Sequence, residues 1–143
     1  MSLILLIDDH PGTRKAMGRV LERAGYMVAT APDGSEGERL FRKLVPDLVI
    51  VDMLMPEKEG VATIMEMRKA RPDARILAVS GGGSFVAADI LRIAELLGAD
   101  GTIQKPFSTM ELLGAVSRCL ASEGGACAAV PTVSAAAAKP MPR

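Results

Sequence analysis

Three segments of this chain are apolar without a break: Leu3-Ile4-Leu5-Leu6-Ile7, Leu48-Val49-Ile50-Val51 and Ile76-Leu77-Ala78-Val79. A strand with one wet face alternates apolar and polar residues, because successive side chains point to opposite sides. Strands without that alternation need cover on both faces, the condition of a parallel sheet sandwiched between helices. None of the runs approaches the ~20 residues needed to cross a bilayer, and the first lacks the flanks of a signal peptide.

The segments in between supply the cover. Met17, Val20, Leu21 and Ala24 repeat at helical spacing, and Gly25 follows where a helix end calls for positive φ. The pattern then predicts a strand from Tyr26 to Ala31, a helix from about Ser35 to Leu44 stopped by Pro46, and a strand from Asp47 to Asp52. A third helix fits Val61 to Ala70, and a fourth fits about Phe85 to Leu97 after the Ile76 strand. A short strand near Thr102 to Gln104 precedes a last helix. Ser108-Thr109-Met110-Glu111 opens that helix with a capping box, in which hydroxyl and carboxylate satisfy backbone donors of the first turn.

Five strands alternating with five helices make a three-layer α/β sandwich with right-handed crossovers and a parallel sheet in the order 2-1-3-4-5. Its site should lie beyond the carboxyl ends of the first and third strands, where strand order reverses. Residues 1–121 form this domain. From 122 to 143 the chain turns to Ala, Gly, Pro and Ser, which reads as a tail or linker.

Charge excludes some partners. The 17 basic and 17 acidic residues cancel, which gives no electrostatic case for nucleic acid or a membrane surface. Cys119 and Cys127 have no metal-ligand spacing and read as free thiols. A cytoplasmic protein is expected.

The predicted strand ends gather acid. Asp8 and Asp9 follow the first strand and Asp52 ends the third, so three carboxylates converge. At ~5 Å and an effective dielectric of about 20, each pair repels by roughly 3 kcal/mol, against about 5 to 15 kcal/mol for the whole stability of a domain. A divalent cation, an ammonium or protonation must offset this. Lys105, at the end of the fifth strand, supplies an ammonium, and oxygen ligands with room for water suit Mg²⁺. Ser80 ends the fourth strand with a hydroxyl donor. One nucleophilic carboxylate, a metal, a fixed cation and a hydroxyl meet the needs of phosphoryl transfer, which asks for positioning and charge stabilisation.

Ile7-Asp8-Asp9, Val51-Asp52-Met53-Leu54-Met55-Pro56, Ser80 and Lys105-Pro106 fall in the order and spacing of the receiver domains of two-component response regulators, which this chain resembles over about residues 3 to 120. The resemblance implies a CheY-like, flavodoxin-like fold and an aspartyl phosphate on Asp52, with a sensor histidine kinase or phosphotransfer protein as donor. It implies that Asp9 binds Mg²⁺ directly, Asp8 mainly through water, and the Leu54 backbone carbonyl as a further ligand. Lys105 would pair with the phosphoryl group, Ser80 would move towards it, and the Lys105-Pro106 bond would be cis. The downstream protein partner would meet the fourth helix, fifth strand and fifth helix, and receivers also pair with themselves through the fourth and fifth helices.

Two features depart from the family. Many receivers carry a switching aromatic where this chain has Thr102, and Gly81-Gly82-Gly83 opens a fourth-helix segment about three residues longer than in compact relatives. An altered fourth helix is expected, with phosphorylation shifting an equilibrium in the segment from Gly81 to Leu97. His10 reads as structural, the glycine run as a hinge, and Met53, Met55, Met65 and Met67 as packing.

Other functions fit less well. A phosphohydrolase using Asp52 would want a second carboxylate where Leu54 stands, so the protein is not expected to turn over substrate beyond slow self-dephosphorylation. An acidic first loop would repel the phosphate of a flavin. A receiver fold that serves only as a docking module remains the alternative, and the segment after residue 121 is too short for a DNA-binding output domain. The protein therefore reads as a stand-alone receiver or as a piece of a larger regulator.

Overall fold

The computed structural model describes residues 2–53, 59–81 and 92–121. Along the chain run β1 (Leu3–Ile7), α1 (Pro11–Arg23), β2 (Met27–Ala31), α2 (Gly34–Leu44), β3 (Leu48–Asp52), α3 (Glu59–Ala70) and β4 (Ile76–Ser80). Residues 92–96 are helical and are called α4; β5 (Gly101–Gln104) and α5 (Thr109–Ala121) follow. The strands form one sheet in the order β2-β1-β3-β4-β5, every neighbouring pair parallel. Expected order and observed order agree.

The unbroken apolar runs are explained by two cores. Ile4, Leu6, Leu48, Ile50, Leu77 and Val79 face one side and meet Met17 and Leu21 of α1 and Leu112, Val116 and Cys119 of α5. Leu5, Ile7, Val49, Val51, Ile76 and Ala78 face the other and meet Phe41 of α2, Ile64 and Met67 of α3 and Ala94 of α4. Consecutive strand residues thus enter opposite cores, so no position in β3 or β4 is left for a wet side chain.

Helix ends follow local chemistry. Gly25 has φ 102° just after α1, as its place at a helix end predicts. The capping box at α5 is formed: Ser108 Oγ accepts from Glu111 N at 3.0 Å, and Glu111 Oε1 accepts from Ser108 N at 2.8 Å. The α2 helix begins one residue earlier than the sequence suggests, because Asp33 caps it by accepting from Glu36 N at 2.9 Å. It ends on Val45 in a left-handed conformation, φ 51°, before Pro46.

One packing expectation changes. Met53 and Met67 are buried, but Met65 is 46% exposed, because it lies on the face of α3 turned away from Ile64 and Met67. Met55, the Leu54 carbonyl, Gly82 and Gly83, Cys127, most of the expected fourth helix and the tail from 122 to 143 lie outside the described residues.

Candidate functional site

The parallel sheet points the ends of β1, β3, β4 and β5 to one edge, and the expected site residues meet there. Asp8 and Asp52 are buried, 1% and 3% exposed. Burial of two like charges is tolerated because Lys105 Nζ lies between them, 3.4 Å from Asp8 Oδ2 and 3.6 Å from Asp52 Oδ2. The lysine reaches that point from the end of β5, whose backbone continues as Lys105 N donating to Ser80 O at 2.7 Å. The Lys105-Pro106 peptide is cis.

Asp8 is fixed from several directions. Its backbone N–H donates to Ala31 O at 3.1 Å, its Oδ1 accepts from His10 N at 2.8 Å, and its carbonyl accepts from Arg14 Nη1 at 2.7 Å. Arg14, from the first turns of α1, is a neighbour that the strand-end pattern does not reveal. Asp52 is held through its own strand and through Met53 N, which donates to Val79 O at 2.7 Å. Ser80 is fully buried, with its hydroxyl only loosely engaged, 3.5 Å from Gly81 O. Thr102 is half-buried in β5 opposite Ala78.

The residues present fit a divalent ion. Asp9 Oδ1 is cut off from solvent without a hydrogen-bond partner among the described residues, a costly state for a carboxylate oxygen. One ligand atom each from Asp8, Asp9, His10 and Asp52 lies within 4.8 Å of the others, close to the ~4 Å that separates opposite ligands of Mg²⁺ at its ~2.1 Å bond length. His10, read from the sequence as structural, is thus part of the same group of side chains.

Without an ion the cluster is repulsive, and this has a measurable result. Asp9→Asn removes a charge that faces Asp8 and Asp52 while Lys105 still serves the other two. Allowing for the 28% exposure of the Asp9 side chain, the metal-free domain should gain about 1–2 kcal/mol. Thermal unfolding in a chelator should show a midpoint about 5 °C above wild type; an equal or lower midpoint would refute the repulsion.

A doubly wound α/β domain with an acidic pocket and a lysine at its switch point is the class of protein that fold and site define. The chain belongs to the family of response regulator receiver domains of two-component systems, whose family model matches residues 4–117. It is 39% identical over 109 residues to the probable transcriptional regulator ycf27 of Guillardia theta, covering 76% of this chain and 41% of that protein. It is 34% identical over 121 residues to protein CcdB of Bacillus subtilis, covering 84% of this chain and 98% of that one. Among solved structures, a response regulator receiver domain protein from Clostridium thermocellum superposes with a TM-score of 0.78 at 30% identity, over 84% of this chain and 94% of that one. The chain spans less than half the length of the ycf27 relatives it matches.

Proposed function

We propose that this receiver domain accepts a phosphoryl group on Asp52 from the phosphohistidine of a sensor kinase or phosphotransfer protein, and passes the signal on by protein contact. The observation that carries this reading is the buried Asp52 carboxylate facing the Lys105 ammonium at 3.6 Å, with Asp8 sharing the same cation.

In the transfer, an Asp52 oxygen forms the new O–P bond as the donor N–P bond breaks, and the electron pair leaves with the donor imidazole, which is then protonated. Lys105 is placed to follow the charge from the carboxylate to the phosphoryl oxygens, and the loosely held Ser80 hydroxyl is placed to donate to one of them. Mg²⁺, when bound by Asp8, Asp9, Asp52 and the Leu54 carbonyl, supplies positive charge that neutralises the transferring group. Leu54 stands two residues after Asp52, where a phosphohydrolase would carry a second carboxylate for acid–base work, and this favours a single phosphoryl transfer over repeated hydrolysis. The chain is a phosphoacceptor rather than an enzyme.

The exit surface is α4, β5 and α5. Ile93, Leu96 and Met110 there are 42%, 81% and 81% exposed, and such apolar side chains on the helices either side of β5 are what a partner or a second copy would cover. Thr102, small and half-buried in β5, leaves Ser80 and the segment from Gly81 to Leu97 to carry the change. No described helix is long and apolar enough to cross a membrane, which is consistent with a cytoplasmic receiver.

Intact mass after incubation with Mg²⁺ and acetyl phosphate tests the reading. The wild type should gain one phosphate, and Asp52→Asn, or wild type in chelator, should gain none. A folded wild type that gains no phosphate would leave a docking module that keeps the fold without the switch.

A further inference from the structure

We propose that His10 is a ligand of the ion in the acidic pocket, and that it tilts the pocket towards divalent ions that bind nitrogen, from Mn²⁺ to Zn²⁺, relative to Mg²⁺. The inference rests on the metal pocket proposed above and adds to it a residue that sets metal preference.

The geometry distinguishes a shared ion from a simple hydrogen bond. His10 Nδ1 lies 3.1 Å from Asp9 Oδ1 and 3.7 Å from Asp8 Oδ1. A 3.1 Å separation would suit a hydrogen bond, yet Asp9 Oδ1 has no hydrogen-bond partner among the described residues and no access to solvent. The two atoms are therefore near each other without pointing a proton from one to the other. Adjacent ligands on an octahedral ion with ~2.1 Å bonds stand about 3 Å apart, which is the spacing observed. A ring nitrogen of His10 also falls within the 4.8 Å group that includes Asp8 and Asp52.

Local structure places the ring there at little cost. His10 stands at the N-cap of α1 but makes no side-chain cap, and Pro11 occupies the first turn. Its backbone is tied to Asp8 Oδ1, while its side chain is 69% exposed, so turning the ring onto an ion disturbs no packing. A neutral imidazole adds a donor without adding charge to carboxylates that already repel. Mg²⁺ prefers oxygen and retains its water, whereas imidazole suits the later first-row ions, whose affinities rise from Mn²⁺ towards Cu²⁺. A pocket of carboxylates alone discriminates between these ions less than one with a nitrogen donor.

The test uses Mg²⁺, Mn²⁺ and Co²⁺ themselves, titrated into the whole chain and into His10→Ala at one fixed pH. We expect His10→Ala to lose at least about tenfold more affinity for Mn²⁺ and Co²⁺ than for Mg²⁺, the lower end of what removing a residue from a metal site costs. Electron spin-echo modulation of the wild-type Mn²⁺ form should show a directly bound nitrogen, independently of whether the variant folds. Equal losses for all three ions, or no nitrogen on Mn²⁺, would overturn the assignment while leaving a Mg²⁺ receiver intact. A wild type that binds none of the ions would overturn both this inference and the metal pocket beneath it.

Discussion

Gly60→Ala is expected to destabilise the domain by about 2 kcal/mol and to slow phosphoryl uptake at least about tenfold. A Cβ on Gly60 would stand 2.7 Å from Met53 Cα, 2.8 Å from the Asp52 carbonyl oxygen and 3.3 Å from Met53 C. All three atoms are backbone, so no rotamer change can relieve the clash. Either α3 lifts off the sheet or the end of β3 moves. The first costs packing, typically about 1–3 kcal/mol for an added methyl in a filled site. The second displaces Asp52, and misplacement by ~1 Å can cost a reaction about a hundredfold. Urea unfolding measures the first effect, and the rate of phosphate gain by intact mass measures the second. Gly12→Ala is the control: its Cβ would meet nothing within 4 Å, and it should leave stability unchanged or slightly higher. A Gly60→Ala protein as stable and as quickly phosphorylated as wild type would remove any special role for this contact.

Asp100→Ala should cost more, about 3–5 kcal/mol, although it lies at the opposite end of the sheet from Asp52. The Asp100 carboxylate is buried, accepts from Ile76 N at 2.8 Å and faces Arg68 Nη2 at 3.7 Å. Arg68 in turn donates to Pro72 O, Ala74 O and Gly98 O at 2.7, 2.6 and 2.6 Å. This cluster ties the end of α3, the start of β4 and the turn after α4 together. Removing the carboxylate leaves a buried backbone donor without its acceptor and a half-buried guanidinium without its counter-charge. For a domain of this size the thermal midpoint should fall by roughly 10–20 °C. Asp100→Asn, which keeps an acceptor, should lose less than half as much. A loss below ~1 kcal/mol for Asp100→Ala would mean that solvent replaces the carboxylate and that the clamp is incidental.

The contrast between these two residues and the acidic pocket shows what was legible in the chain. Asp8, Asp52, Ser80 and Lys105 could be placed together from sequence because each sits at the end of a strand, and a parallel sheet brings strand ends to one edge whatever the details of packing. The strands themselves were legible because burial on both faces leaves no polar residue inside them. Gly60 gives no such signal. Its importance is a distance between a helix and a strand end, and a glycine near a helix start reads equally well as a loop residue. Asp100 and Arg68 are far apart in sequence and join only after α3, β4 and β5 are assembled. Asp33 could have been found, since Asp33-Gly34-Ser35-Glu36 carries a capping residue three before a glutamate. His10 reads as structural because a lone histidine in a loop is usually neither ligand nor phosphoacceptor, and only coordinates can show which way an exposed imidazole turns.

The pairing of β1 has a consequence for synthesis. Ile4 to Ile7 lie between two neighbours, β2 on one side and β3 on the other, and Ile4 pairs with Leu48. At ribosomal rates of about 5–20 residues per second, the second neighbour appears only some 2–9 s after the first strand is made. During that interval a five-residue run without charge, proline or glycine has one edge unpaired, the composition that seeds strand addition between nascent chains. The same uniform greasiness that lets β1 fill two cores makes it the segment that a chaperone holdase would need to shield first.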